Sequence, residues 1–385
     1  MHILIIPSWY PNSYNNLNGI FFKEQAEALA KDKTKVGVIA LTQVTIQEIL
    51  KNKKLRFENN EHTQNDVITY QKDYFIFPKI YRKLAVCKIR REYHFKKLFK
   101  AYISKNGIPD IVHLHSFFYG HLAIWIKKEY NIPYVVTEHS TTFARDLLSH
   151  SEIQYASTVY KNADKTLAVS KEFKILLKEK TKVNFDYLPN IVNVDFFKQV
   201  QNKSNRSNIR FITIGQLEPK KNQVMLIKAF KLAFEKEKDV ELIIVGEGGE
   251  HQNLTKLIRN LNLEQNVTLY GKASREEIKE LLHTSDIFVL SSFYETFGVV
   301  LIEALSCGLP LISTKSGGPE SIITNKNIGT LSEIDEDALV SAMKNTYNNL
   351  NSYDSTYLQK YVEEKFSEKA VVSQLINIYR EIVQL

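Results

Sequence analysis

Cysteine is nearly absent from the 385 residues, occurring only as Cys87 and Cys307. Two thiols so distant in sequence argue against a disulfide framework, favour a reducing compartment and leave too few ligands for a thiolate metal centre. No apolar run reaches the roughly 18 residues of a membrane-spanning helix. The opening "MHILIIPSWYP" carries a short apolar run cut by Pro7 and no basic leader, so it reads as a first strand rather than a secretion signal. Phosphate-binding glycine motifs are missing as well. No G-x-x-x-x-G-K-[ST] occurs, and the nearest approach to G-x-G-x-x-G, "VGEGGEH", has His251 where the third glycine belongs. Hydride transfer on a dinucleotide is therefore set low. Internal repeats and low-complexity tracts are lacking too.

What is present is an ordinary globular composition, 44% hydrophobic and 24% charged, in a chain long enough for two domains of about 150–200 residues. The net charge of +8 leans toward an anionic partner. Much of it falls in "PKIYRKLAVCKIRREYHFKKLFKAYISK" (78–105), where Lys79, Arg82, Lys83, Lys88, Arg90, Arg91, Lys96, Lys97, Lys100 and Lys105 face Glu92 among interleaved aromatics. This is either a solvated helix face or one that lies on an anionic membrane. No nucleic-acid motif accompanies it.

Short β-branched runs alternate with helical patterns, the signature of α/β layers around parallel sheets. Strands are expected at 2–6, 35–41, 110–115, 133–138 and 165–170, and in a second series at 209–215, 240–246, 266–271, 286–292 and 309–314. Residues 43–80 read as loop. The polar stretch ending at 208 reads as a linker. The expected organisation is a first Rossmann-like domain at 1–195, a linker at 196–208, a second such domain at 209–365, and a last helix, 366–385, packed back on the first domain. Two doubly wound sheets would leave a ligand cleft between their carboxyl ends.

One stretch poses a question. "FYETFGVVLIEALSCGLP" (293–310) places Glu295 and Glu303 in nearly uniform apolar sequence, where an unpartnered carboxylate would cost several kcal/mol. The strand should end near Ser292, with a buried helix running from about Phe297 or Gly298 to Gly308. Eight positions along a helix separate the two acids by about 12 Å at most, roughly the reach of a nucleotide sugar from hexose to ribose. The N–H groups of Phe297, Gly298 and Val299 would then face a diphosphate, with Glu303 on ribose hydroxyls and Glu295 on the transferred sugar. The bland alternative is a solvated Glu295 and a Glu303 paired with a lysine.

The stretch "SSFYETFGVVLIEALSCGLPLISTKSGGPESI" (291–322) resembles the nucleotide-sugar site of glycosyltransferase family 4, a retaining group with the two-domain glycosyltransferase-B fold. "SWYPNSYNNLNGIFFKEQAEALA" (8–30) is similar to its glycine loop and first helix. "LPNIVNVDFF" (188–197) is similar to its Pro-Asn passage into the second domain, and "GQLEPKKNQVMLIKAF" (215–230) to its phosphate loop. The resemblance implies a hexosyltransferase using a UDP- or GDP-sugar and a glycan or lipid-linked acceptor, in surface-polysaccharide or glycolipid synthesis. No cofactor or metal is implied, and no suitable loop carries an Asp-x-Asp pair. The implied location is cytoplasmic, with a possible peripheral attachment to the membrane through 78–105.

It also implies roles. Lys221 would neutralise the leaving diphosphate and Glu295 would grip the sugar near His139. Thr296, Phe297, Gly298, Val299 and Glu303 would hold the donor. Gln216 stands where the family usually has an arginine; Lys220 could compensate but reads as a solvated loop lysine. Gly19 is either a plain helix start or a bare backbone approach to the diphosphate, and the resemblance tips it to the second. His115 is similar to a family histidine near the acceptor, and His113 reads as packing. Glu138 is either solvated or on acceptor hydroxyls, and Glu320 resembles a family acid displaced by one residue. A sugar-nucleotide 2-epimerase and a non-catalytic binding protein are the rival readings.

Overall fold

Strands filled on both faces by Ile, Val and Leu belong between two helical layers. The computed structural model, which describes residues 1–12, 18–44, 59–75, 85–198 and 208–384, has two such layered units. The first sheet contains β1 (His2–Pro7), β2 (Lys35–Val44), β3 (Asn59–Gln64), β4 (Val67–Phe75), β5 (Ile111–His115), β6 (Tyr134–Glu138), β7 (Lys165–Ala168) and β8 (Asp186–Tyr187). Their order is β3-β4-β2-β1-β5-β6-β7-β8. The second contains β9 (Ile209–Ile214), β10 (Val240–Val245), β11 (Val267–Gly271), β12 (Ile287–Leu290), β13 (Leu311–Thr314) and β14 (Gly329–Ser332), in the order β11-β10-β9-β12-β13-β14. All pairings are parallel except β3 with β4. The α/β reading with two Rossmann-like domains therefore holds.

The hairpin of β3 and β4 corrects the loop reading of 43–80. Its two-residue turn, Asn65–Asp66, has both φ angles positive, at 48° and 61°, the geometry that Asn and Asp tolerate in tight hairpins. The linker stretch 199–207 and the side chains of Lys79, Arg82, Lys83 and Lys88 lie outside the described residues.

Each sheet has one strand whose neighbours lead in opposite directions. β1 lies between β2 and β5, and β9 between β10 and β12. Ligands of open α/β sheets bind at the carboxyl ends of such strands, so the segments after Pro7 and after Ile214 should line the site. The helices bearing on it are α1 (Ile20–Lys31), α2 (Ala85–Asn106), α3 (Gln223–Phe234), α4 (Arg275–His283), α5 (Val299–Ser306), α6 (Ser355–Phe366) and α7 (Glu368–Val383).

The chain passes between the sheets twice. Val192, on the way out, donates its N–H to the Phe366 carbonyl at 2.9 Å on the way back, and Val192 and Ser367 form an isolated parallel bridge. Beyond this seam α7 returns to the first domain, where Val371, Leu375 and Tyr379 join Ile3, Ile5, Phe22 and Leu29 in one apolar cluster. The Tyr379 hydroxyl reaches His113 Nδ1 at 2.6 Å.

The glycines of "VGEGGEH" have a packing reason. A Cβ on Gly246, whose φ is +143°, would stand 1.9 Å from the Gly215 carbonyl oxygen, and one on Gly248 2.3 Å from that of Leu217. They let the segment after β10 lie directly on the one after β9, with Leu217 N–H to the Glu247 carbonyl at 3.0 Å. Gly246→Ala should therefore lower stability by about 1–3 kcal/mol, read as a lower urea midpoint at unchanged slope.

Candidate functional site

The segment after β9 carries Lys221 at the end of a short 3-10 turn, Pro219–Lys221, and Asn222 follows at φ 51°. It is stitched to the segment after β12: Ser291 Oγ donates to the Lys221 carbonyl at 2.9 Å and Phe293 N to the Lys220 carbonyl at 2.8 Å. The two segments thereby present one pair. Lys221 Nζ donates to Glu295 Oε1 at 2.5 Å, and Ser292 Oγ donates to the same oxygen at 2.8 Å. Their side chains keep 18% and 9% exposure, so neither charge is solvated as a free surface group would be. Lys220 turns to Glu218 at 2.9 Å instead. The Gln216 side chain is exposed, while its carbonyl accepts from Gln223 Nε2 at 3.1 Å.

Directly after Glu295, Gly298 at φ +93° caps α5, and Phe297 is buried against Phe366 with ring centroids 5.8 Å apart. The N–H groups of Phe297, Gly298 and Val299 donate to no described residue, which leaves an amide-lined helix start. The loop 316–318 lies on this turn so closely that a Cβ on Gly318 would fall 2.4 Å from Phe297 N. The Glu320 carboxylate accepts from Gly317 N at 3.0 Å, closing its own turn. Thr296 Oγ1 crosses to the first domain and donates to the His139 carbonyl at 3.0 Å.

Glu303, 3% exposed, is paired, but with an arginine rather than a lysine. Arg275 Nη1 donates to Glu303, and its Nη2 donates to Glu24 of α1 at 2.7 Å. Its guanidinium lies 4.7 Å from the Phe197 ring centroid. One cation thus joins an acid from each domain. Burial alone would lower the Arg275 pKa, but Glu303 and Glu24 outweigh it and the pKa is raised. Burial pushes Glu24 up to about 7 against the pull of Arg275. Glu24 Oε2 and Arg275 Nε are buried with no hydrogen-bond partner. Sequence reasoning missed both residues. The available signal was an arginine in the first turn of α4, where the helix dipole disfavours a cation.

Across the cleft, β5 and β6 end in His115 and His139. His115 Nδ1 and His139 Nε2 are 3.1 Å apart, and Phe22 of α1 packs on both rings. Burial holds both pKa values well below the ordinary imidazole range, so one neutral ring donates and the other accepts. His139 keeps 7% exposure and His115 has none, so His115 stands behind His139 rather than on the cleft surface. His113, bonded to Thr137 and Tyr379, is packing as expected. Glu138 is neither solvated nor on the cleft. It is fully buried and accepts from Phe117 N, His139 N, Ser140 N and the Tyr160 hydroxyl at 2.7–3.0 Å. Gly19, at φ +75°, has its missing side chain accounted for by Trp9, whose carbonyl oxygen would lie 2.6 Å from a Cβ there. No cluster of three or more His, Cys, Asp or Glu suited to a metal ion occurs among the described residues.

Two family profiles match this chain. The one described as Glycosyltransferase Family 4 covers residues 19–196, and the one described as Glycosyl transferases group 1 covers 194–360. The chain belongs to glycosyltransferase family 4. The chain is 26% identical over 286 residues to the phosphatidylinositol N-acetylglucosaminyltransferase GPI3 subunit of Saccharomyces cerevisiae, a match spanning 71% of this chain and 63% of the yeast protein's length. Among solved structures it resembles a sucrose-phosphate synthase from Thermosynechococcus elongatus, with a TM-score of 0.78, 18% identity and 99% of each chain covered. It also resembles Anabaena HepE in complex with UDP, with a TM-score of 0.74, 16% identity, and 99% of this chain and 100% of that one covered. The fold is thus the glycosyltransferase-B type.

The Glu24 shift gives a pH test of the Arg275 bridge. A carboxyl raised from about 4.5 to about 7 on folding contributes stability that is complete below pH 4.5 and lost as pH rises through 7. Glu24→Gln removes that dependence. Its melting temperature relative to wild type should climb between pH 5 and pH 8, by the equivalent of no more than about 3 kcal/mol; a difference flat with pH would show an unshifted Glu24.

Proposed function

We propose that this glycosyltransferase moves a hexosyl group, with retention, from a uridine or guanosine diphosphate sugar to a glycan or lipid-linked acceptor. The observation that carries the reading is the Lys221–Glu295 pair beside the amide-lined start of α5. Breaking a glycosyl phosphate bond builds negative charge on the diphosphate and positive character on the sugar, so fixed donors are needed at the leaving group. Phe297, Gly298 and Val299 offer N–H groups there, Thr296 orients the turn, and Lys221 adds a full charge.

An arriving diphosphate shares Lys221 and frees Glu295 to accept from the sugar's hydroxyls, with His139 opposite. Glu303 accepts from the ribose once Arg275 yields part of its hold. Gln216 is exposed where a second cation would be expected, so Lys221 carries more of the leaving-group charge. Retention places the acceptor on the face the diphosphate leaves, and a diphosphate oxygen takes its proton; no metal is required. UDP bound to HepE supports a uridine donor.

In this reading residues 1–195 receive the acceptor, 209–365 hold the donor, and 366–385 brace the first domain. Among the described residues no helix is long and apolar enough to cross a membrane. Helix α2 nevertheless exposes Ile89 and Tyr93, at 64% and 62%, beside Arg90, Lys97 and Lys100. This arrangement suits the surface of an anionic membrane and a lipid-linked acceptor in surface-glycan synthesis.

Nucleotide release from UDP- and GDP-sugars tests the assignment. Lys221→Ala should lower kcat by about 10²–10³-fold with a smaller change in donor affinity. Glu295→Ala should abolish transfer while the protein still folds, its melting point lowered by the equivalent of about 1–3 kcal/mol because Lys221 loses its counter-ion. Wild-type turnover in both variants would remove the pair from the mechanism.

A further inference from the structure

A second cleft, of about 290 Å³, opens at the carboxyl ends of β1 and β2 and beside the turn that follows β5. Trp9, Thr42, Gln43, Arg91, Phe118 and Tyr119 line it. It is separate from the Lys221–Glu295 centre but adjoins the histidine pair: Trp9 packs on Phe22 at 5.3 Å between ring centroids, and Phe22 on His139 at 4.9 Å. Arg91 reaches the cleft from α2, on the side of the helix away from exposed Ile89 and Tyr93. Its guanidinium lies 5.3 Å from the centroid of the Tyr119 ring. Among the described residues it has no carboxylate partner, and its Nε is buried without an acceptor. The neighbouring Glu92 turns instead to His121, at 3.6 Å.

A planar cation held against an aromatic face, with no hydrogen-bond partner for its fork among the described residues, is built to receive a pair of anionic oxygens. The other walls are of a different kind. The half-buried rings of Trp9 and Phe118 offer apolar faces suited to the C–H side of a sugar, and Thr42 and Gln43 add short polar groups at the rim. A volume near the lower end of ligand clefts, about 300 Å³, admits one saccharide or polyol unit rather than a chain.

We propose that this cleft seats the acceptor, and that the unit bound there carries a phosphate or carboxylate held by Arg91. Its role as an acceptor site rests on the donor-site reading above; its preference for an anion does not. Glucose 6-phosphate, glucuronate and methyl glucoside, titrated into the protein by calorimetry with UDP present at saturation, test the proposal. The two charged probes should bind about tenfold or more tighter than methyl glucoside. Arg91→Gln should remove that advantage while changing methyl glucoside binding little, and Arg91→Lys should restore part of it. The stronger of the two charged probes tells phosphate from carboxylate. Equal binding of all three probes, no binding of any at about 10 mM, or an equal loss for all three in Arg91→Gln would overturn the proposal. A separate titration with UDP alone scores the donor site, so failure there is distinguishable from failure of the cleft.

Discussion

Lys221 and Glu295 lie on segments that leave two different strands of one sheet, and each makes the other's position tolerable. A lysine with 18% side-chain exposure and a glutamate with 9% would each be strained by desolvation alone. Joined, and with Ser292 on the same carboxylate oxygen, they form a charge pair that leaves neither group unpartnered. The pair is preorganised because the backbone beneath it is already hydrogen-bonded, from Ser291 and Phe293 to the Lys221 and Lys220 carbonyls. The glycine packing of Gly246 and Gly248 keeps the Lys221 segment from drifting away from its sheet.

The same principle appears at Glu303. This acid is deep in α5, and the cation that supports it belongs equally to Glu24 in the other domain. Thr296 and the His139 carbonyl make a second contact across the cleft, and Ser170 with the Gly317 carbonyl at 3.0 Å a third. The groups proposed to face a donor are therefore also groups that hold the domains together.

Much of this was legible in the chain. The α5 segment announces itself by a nearly uniform apolar run ending at Gly308, whose φ is +78°, and the alternation of strands and helices implies two parallel sheets. Two acids in an apolar segment pointed to partners, because an ionised group there needs them. What stayed hidden was long-range or disguised by polarity. Arg275 meets Glu24 from 251 positions away, and no local pattern encodes such a pair. Strand β4 is hidden in the sequence because Thr69, Gln71 and Asp73 give it a polar pattern, although all three are buried in place. His115 ends a strand as expected, yet its depth depends on Phe22 arriving from α1, a packing fact with no local signature.

The paired passages at Val192 and Ser367 shape how the molecule can move. Two crossings placed at opposite ends of the sheets would lock the domains. A single crossing would let them tumble. Here Val192 and Ser367 lie side by side and share a hydrogen bond, from Val192 to the Phe366 carbonyl, so a relative rotation of the domains would turn about this seam. Such a rotation would widen the far rim of the gap most, like the covers of a book turning about its spine, and it would first have to break the Arg275, Thr296 and Ser170 contacts.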